Sequence, residues 1–200
     1  VGIQYLWGVI AMLAVGGGMA MMIRTNLAAP GGQFITPQVY NTLVGIHGIT
    51  MIVAMIIVAT GPFGNFILPI MIGAADMAFP RLNALSWWVL FTAIPVLCSS
   101  WFLGGVPIGW TAYAPLSVQA GPGENAYIAT IIIFAVSTAI AGANITATVV
   151  TMRAKGMSWN RVPIFVIGAT ISVALAIPAF PTFMLSQIMT AMDQIGRAHV

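Results

Sequence analysis

Charged side chains are almost missing from this sequence. Asp, Glu, Lys and Arg together make up 4% of the 200 residues, whereas hydrophobic residues make up 60%. A soluble domain carries roughly a quarter charged residues, so the composition excludes an ordinary soluble protein and predicts an integral membrane protein. The net charge of +3 comes from so few groups that it does not indicate a nucleic-acid partner.

Cysteine is equally scarce. Cys98 is the single cysteine and lies in an apolar run, which excludes a disulfide framework and a Cys-x-x-Cys metal site. The 13 Met residues are scattered through apolar segments, and we interpret them as packing residues rather than as ligands of a soft metal.

Long apolar runs fill most of the chain. A helix needs about 20 apolar residues to cross a bilayer, and five runs are long enough: 3–24, 41–72, 84–106, 127–151 and 163–190. The sequence therefore predicts an all-α, polytopic membrane helix bundle with five transmembrane helices.

Basic residues are distributed unevenly between the predicted loops. Loops 73–83 and 152–162 hold four of them, whereas loop 107–126 holds Glu124 and no Lys or Arg. Five alternating spans put the two basic loops on one side, and basic loops remain in the cytoplasm. We therefore expect the N-terminus and both basic loops on the cytoplasmic side, with loops 25–40 and 107–126 on the outer side.

His47 is the single histidine inside a predicted span. An ionisable group in a span is a functional candidate, and a neutral imidazole is a usual axial ligand of haem iron. Gly45 and Gly48 flank it, and their missing side chains would leave room for a flat macrocycle. Arg24 ends the first span on the same side, so we expect it at a depth comparable to that of His47. From the residues alone, His47 is equally well a hydrogen-bonding core residue.

One carboxylate and three amides form a second candidate set. Asp76 follows the second span, and Asn65, Asn83 and Asn144 lie in or beside apolar spans. Amides can hold water by donating and accepting hydrogen bonds while staying neutral. The set predicts a proton-conducting water chain that opens at Asp76. The alternative for Asp76 alone is a solvated cap before the third span.

The run PFGNFILPIMIGAADMAFPRLN, with YNTLVGIHGITMI before it and GWTAYAPL and AGANITATVVTMRA after it, closely resembles subunit I of the haem-copper oxygen reductases, which include cytochrome c oxidase. The resemblance covers residues 1–193 and corresponds to the first five of that family's twelve helices. Ala84 and Ala114 replace an asparagine and a proline of the family pattern.

The resemblance implies roles for the candidate residues. His47 becomes one axial ligand of a low-spin haem of the A, B or O type, whose other ligand comes from helix ten. Arg24 corresponds to an arginine at the edge of that haem, and Trp110 to a tryptophan beside its propionates. The four remaining candidates correspond to the D proton channel, with the entry at Asp76 and the asparagines at Asn65, Asn83 and Asn144.

The resemblance also implies the activity of the whole protein. By this resemblance we expect the whole protein to be the catalytic subunit of a terminal respiratory oxidase, which reduces oxygen to water and pumps protons in the bacterial inner membrane together with subunits II and III. The resemblance places the high-spin haem and the copper ion outside this stretch, so we expect the fragment to contain no catalytic residue and to be inactive alone.

Four positions of the sequence bear on the identity of the electron donor. Quinol-oxidising relatives bind the quinone with an arginine, an aspartate, a histidine and a glutamine, and the matching residues here carry none of those groups: Val15, Met19, Val39 and Thr42. We therefore expect cytochrome c as donor. The alternatives are a quinol oxidase or a nitric oxide reductase of the same superfamily, and an unrelated membrane ion transporter in which His47 is structural.

The last residues have a composition of their own. Residues 195–200 read Ile-Gly-Arg-Ala-His-Val, which the codons ATC GGA AGA GCA CAC GTC encode. These bases match a common sequencing adapter that lacks its leading AG, and a CAG codon for Gln194 supplies that AG. We expect 194–200 to be translated adapter, so that His199 and Arg197 have no function, and we expect the chain to be truncated before Val1. The alternative is a natural polar tail.

Overall fold

The computed structural model describes residues 1–31, 34–119 and 121–197, and at 54–56, 58–59 and 197 it describes the backbone alone. Within these ranges the chain is helical and contains no strand. Its six α-helices are α1 (Gly2–Asn26), α2 (Pro37–Val58), α3 (Gly64–Ile72), α4 (Pro80–Phe102), α5 (Pro122–Thr151) and α6 (Ile164–Arg197). A π-helical turn, Ala59–Phe63, joins α2 to α3, and 3-10 turns at Leu116–Val118 and Trp159–Arg161 precede α5 and α6.

Four of the described helices, α1, α4, α5 and α6, are long and apolar enough to cross a membrane. The predicted span 41–72 falls on α2, the π turn and α3, which follow one another along the chain. The prediction of an all-α, polytopic membrane bundle is confirmed. The third predicted span begins four residues earlier than expected because Pro80 occupies the first turn of α4. In the first turn a backbone N–H has no partner within the helix, so a proline there costs no hydrogen bond.

The π turn explains how one predicted span becomes two helices. Pro62 lies inside it and has no N–H to donate, so one hydrogen bond of the α-helical pattern is missing at this point. The side-chain amide of Asn65 donates to two carbonyls of this turn, those of Thr60 at 3.2 Å and Gly61 at 2.8 Å. Asn65 thus supports the irregular backbone.

The helices form an antiparallel array in which α5 is central. A Cβ at Gly2 would lie 3.2 Å from Phe66, and one at Gly16 would lie 2.6 Å from Met51 Sδ, so α1 runs antiparallel to α2 and α3. Helix α5 packs against α4 and α6. In its most apolar stretch 50% of the residues are buried, compared with 17% in α1 and in α6.

The bundle has two ends, the Asp76 end and the Trp110 end. The Asp76 end comprises segments 73–79 and 152–163, and the Trp110 end comprises segment 103–119 with Gly121 and the first turn of α5. Buried apolar side chains form one cluster near each end and one between them. The cluster at the Asp76 end includes Leu68, Ile72, Ile145, Val149 and Val166. The cluster at the Trp110 end includes Ile46, Ile49, Val106, Tyr127 and Ile131. The middle cluster includes Tyr5, Val9, Ile57, Trp87 and Phe134.

Candidate functional site

His47 lies on α2, is half-buried, and contacts the backbone of α1. Its Nδ1 is 2.9 Å from the carbonyl oxygen of Gly16. Because a carbonyl oxygen only accepts, Nδ1 carries the proton and donates it to this bond. In a neutral ring the lone pair is then on Nε2, and the hydrogen bond fixes the orientation of the ring. This is the arrangement that an Nε2 metal ligand requires.

The glycines beside His47 serve a purpose different from the one expected. A Cβ at Gly45 would lie 2.8 Å from the Val106 carbonyl oxygen, and one at Gly48 would lie 2.8 Å from Trp110 Cβ. The space above both glycines is therefore filled by segment 106–110. The expectation that they leave room for a macrocycle is wrong, because their missing side chains admit this loop.

The structure places Trp110 and Arg24 differently relative to His47. Trp110 packs on α2 at Gly48, the residue after His47, and its carbonyl accepts a hydrogen bond from the Tyr127 hydroxyl. Arg24 is exposed in the last turn of α1. Since His47 contacts Gly16 and a helix rises 1.5 Å per residue, Arg24 lies about 12 Å beyond the level of His47. The two are not at the comparable depth that we expected.

Asp76 is exposed at the Asp76 end of the bundle. Its Oδ1 accepts a 2.7 Å hydrogen bond from the Met77 N–H. Within the described residues, no side chain forms a cap hydrogen bond at the start of α4. The segment after it is attached to α5 by two side chains. The Ala78 N–H donates to Thr148 Oγ1 and the Phe79 N–H donates to Asn144 Oδ1, both at 2.9 Å.

The three asparagines differ in their hydrogen bonding. Asn144 is 1% exposed and accepts from Phe79, but its Nδ2 has no partner within the described residues. Asn65 donates to the π turn, and its Oδ1 is likewise buried and unpartnered in that part of the chain. Asn83 is 6% exposed, one turn along α4 from Phe79. One buried donor and one buried acceptor thus remain available to water.

A hydrogen-bonded group of hydroxyls extends from Asn83 into the bundle. Ser86 Oγ donates to the Asn83 carbonyl at 2.7 Å, so the Tyr5 hydroxyl, 2.8 Å away, donates to Ser86 Oγ. Ser137 Oγ donates to the Ser86 carbonyl at 2.7 Å. Sequence reasoning missed this group because its members lie on α1, α4 and α5.

A cavity of about 440 Å³ adjoins this set of hydroxyl side chains and extends toward the middle of the bundle. Its walls are mostly apolar and carry a few hydroxyls. The hydroxyl-bearing wall residues are Tyr5, Thr60, Ser137, Thr138 and Ser172. The cavity is large enough for several water molecules, each of which takes about 30 Å³ in the liquid. A signal for it in the sequence is the pair Ser137-Thr138 inside an otherwise apolar run.

No cluster of three His, Cys, Asp or Glu side chains that could hold a metal ion occurs in residues 1–31, 34–119 and 121–197. His47 is thus not part of such a cluster within this part of the protein. His199 of the predicted tail lies outside the described residues. A metal centre at His47 must take its other ligands from a cofactor or from another part of the protein.

Comparison with known proteins shows which family the chain resembles over its whole length. The family model described as cytochrome c and quinol oxidase polypeptide I matches residues 1–200. The chain is 39% identical over 183 residues to cytochrome c oxidase subunit 1 of Bacillus subtilis, an alignment that covers 90% of this chain and 29% of the relative. It is 35% identical over 202 residues to quinol oxidase subunit 1 of the same organism, covering 99% of this chain and 31% of the relative.

A relative from Synechocystis gives the same result. Cytochrome c oxidase subunit 1 of Synechocystis is 35% identical over 197 residues, covering 98% of this chain and 36% of the relative. The chain therefore spans about a third of the length of these curated relatives.

Proposed function

The chain belongs to the cytochrome c and quinol oxidase polypeptide I family, and we propose that it is the first part of the catalytic subunit of a terminal respiratory oxidase. The full-length protein would reduce oxygen to water with electrons from cytochrome c and pump protons. This stretch would supply one haem ligand and the entrance of a proton path. The high-spin haem, the copper ion and the catalytic residues would belong to the remainder of the subunit.

The orientation of His47 carries the haem part of this proposal. Its Nδ1–H is held by the Gly16 carbonyl at 2.9 Å, which leaves Nε2 with the lone pair that an axial ligand needs. A low-spin haem of the A, B or O type would supply one-electron transfer when bound there. Arg24 and Trp110 would contact its periphery, from the last turn of α1 and from the loop beside Gly48.

Replacing His47 in the full-length protein tests the ligand assignment. We expect His47→Ala to abolish the low-spin haem band in the optical spectrum, because the iron loses an axial nitrogen. Gly16→Ala is the comparison variant, since it crowds Met51 while leaving the backbone carbonyl in place, and it should retain the band. A low-spin band unchanged by His47→Ala would refute the assignment and leave His47 as a core residue.

The proton path is proposed from the polar groups between Asp76 and the cavity. Exposed Asp76 would attract protons at the mouth. The unpartnered Asn65 Oδ1 and Asn144 Nδ2 would hold water behind it, with Asn83 completing the set. The hydroxyls of Ser86 and Tyr5 would continue the path to the 440 Å³ cavity. Neutral amides and hydroxyls suit this task because they hydrogen-bond to water without trapping the proton.

Cytochrome c is the proposed donor because the four positions that match the quinone-binding residues lack the required side chains. Val15 and Met19 line a cavity of about 160 Å³ with almost wholly apolar walls, Val39 is apolar, and Thr42 is 2% exposed. The 35% identity to a quinol oxidase subunit keeps quinol as the second candidate. Oxidation of reduced cytochrome c by the purified full-length enzyme tests the choice. Activity with quinol alone would reverse it.

Orientation and partners are part of the same proposal. We propose that the Asp76 end faces the cytoplasm of a bacterium, that the Trp110 end faces outward, and that subunits II and III cover part of the bundle. Cysteines introduced at exposed Lys155 and exposed Gln119 test the sidedness in intact cells. An impermeant thiol reagent should label the Gln119→Cys protein, and preferential labelling of Lys155→Cys would reverse the orientation. Glu124, in the predicted outer loop, is unsuitable because it is fully buried.

A further inference from the structure

Segment 152–163 joins α5 to α6 at the Asp76 end of the bundle and is strongly basic. It contains Arg153, Lys155 and Arg161 and no acidic residue. The Asp76 end as a whole contains one carboxylate, that of exposed Asp76. Positive groups therefore exceed negative groups at this end, and their combined field attracts anions to its surface.

The guanidinium of Arg153 is held in a fixed orientation. Its Nη1 donates to the Val149 carbonyl, in the last turn of α5, at 2.7 Å. Its Cζ lies 4.0 Å from the centroid of the Trp159 ring, a cation–π contact that orients the guanidinium plane. Its Nε has no partner within the described residues. A guanidinium has several N–H donors, so Arg153 retains hydrogen-bonding capacity for an oxygen-rich anion.

A second cation lies in the same 3-10 turn as the aromatic ring. The turn begins at Trp159 and ends at Arg161, and the Arg161 N–H donates to the Ser158 carbonyl at 2.9 Å. Arg161 is exposed, and Trp159 is 47% exposed although it contacts Arg153. An exposed indole beside basic side chains is typical of the boundary between a membrane and water.

An exposed apolar face of α6 begins directly after this turn. Ile164, Ile171 and Leu175 are exposed, and exposed Gly168 has open space where a side chain would lie. These four positions recur at helical spacing and share one face of the helix. From Ile164 to Leu175 the helix rises roughly 16 Å. One leaflet of a bilayer's hydrocarbon core is about 15 Å thick, so the face matches the depth of one acyl layer.

We propose that segment 152–163 and this face of α6 bind one anionic phospholipid. The phosphate bonds to the guanidinium groups of Arg153 and Arg161, while Trp159 lies at the boundary between headgroup and acyl chains. One acyl chain lies along α6 over the open space at Gly168. The apolar face favours a lipid over a free phosphate ion, which would use the cations alone. This binding does not depend on whether the protein is an oxidase.

Lipid bound at this site should also stabilise the fold, because segment 152–163 contacts α3 as well as joining α5 to α6. The Ala154 N–H donates to the Ile72 carbonyl at 2.9 Å, and a Cβ at Gly73 would lie 3.1 Å from Ala154 Cβ. A ligand that binds only the folded protein raises its unfolding temperature. Thermal unfolding is therefore a second readout of binding.

Lipid titration of the delipidated full-length protein tests the site. In native mass spectrometry, the first binding step should be tighter with phosphatidylglycerol than with phosphatidylcholine, and only phosphatidylglycerol should clearly raise the unfolding temperature. Arg161→Gln should weaken the first step about fivefold, the effect of one basic residue near an anionic surface. Equal affinity for the two lipids would overturn the proposal.

Two further variants separate this site from diffuse attraction between charges. Arg81→Gln removes the same charge from an exposed position on α4, outside segment 152–163 and α6, and should leave the first step unchanged. Trp159→Leu keeps every charge but should weaken the step, because Arg153 loses the ring that orients it. Equal losses in Arg161→Gln and Arg81→Gln, or no loss in Trp159→Leu, would show that no defined site exists.

Glycerol phosphate distinguishes a lipid from a free anion. It carries a phosphate but no acyl chain, so at the same concentration it should neither displace phosphatidylglycerol nor raise the unfolding temperature. Displacement at equal concentration would refute the lipid assignment, because the cations alone would then account for binding.

Discussion

The two ends of the bundle hold their loops by different means. At the Asp76 end, polar side chains of α5 accept hydrogen bonds from loop backbone, as Asn144 and Thr148 do from Phe79 and Ala78. At the Trp110 end, missing side chains let the loop approach, and Gly45 meets the Val106 carbonyl directly. The first end depends on these hydrogen bonds, whereas the second combines a hydrogen bond from Tyr127 to the Trp110 carbonyl with a close approach to α2 where side chains are missing.

This difference has a functional consequence. Asn144 both fixes the loop that follows Asp76 and retains a free amide NH2 for water, so the structural role and the proposed role in proton transfer fall on one residue. At the Trp110 end, Gly45 and Gly48 shape the loop while the imidazole of His47 remains available. Variants at the Asp76 end should therefore couple stability to proton uptake, whereas variants at the Trp110 end should couple stability to the haem environment.

The largest stability effect is expected from Asn144→Leu. This change keeps the number and branching of the side-chain heavy atoms but leaves the Phe79 N–H without its acceptor, which costs about 1–3 kcal/mol for a buried group. Denaturant unfolding of the purified full-length protein measures the loss, and proton uptake should slow in the same variant. Thr151→Val is the control, because Thr151 is exposed and bonds only within its own helix. Equal stability of the two variants would contradict the role given to Asn144.

An intermediate effect is expected from Gly45→Ala. The added methyl would lie 2.8 Å from the Val106 carbonyl oxygen. Such overpacking costs about 1–3 kcal/mol, and the better helix propensity of alanine offsets up to about 1 kcal/mol of that. Gly17→Ala, with open space around it, should leave stability unchanged or slightly raised. We expect only Gly45→Ala to shift the low-spin haem band, and a shift in both would show that crowding at the loop is not the cause.

The smallest stability effect is expected from Asp76→Asn. The residue is exposed, so the free energy of unfolding should change by less than about 0.5 kcal/mol. The asparagine oxygen can still accept the Met77 N–H. Because the charge at the mouth is lost, turnover and proton uptake should slow while haem absorbance stays intact. Asp193→Asn, an exposed carboxylate near the opposite end, should change neither rate, and full pumping by Asp76→Asn would leave Asp76 as a surface residue.

Local sequence patterns alone determined the helical spans, the family and most of the candidate site residues that we predicted. The apolar runs predict the helices because a chain in lipid must satisfy its backbone internally, and the FGN–D–FPR–N pattern indicates the family that the comparisons then confirm. Asp76 and its three asparagines are visible as the few polar groups in or beside apolar runs.

Contacts between distant segments were decided only by the tertiary structure. Nothing local shows that Tyr5 donates to Ser86, 81 residues away, or that Asn144 bonds to Phe79, 65 residues away. The glycines beside His47 were misinterpreted for the same reason, since the sequence shows a missing side chain but not which segment fills its space. The sequence predicts a loop position for Glu124 because a charged residue lies between two apolar runs. In the structure, the packing of α6 against the start of α5 buries Glu124.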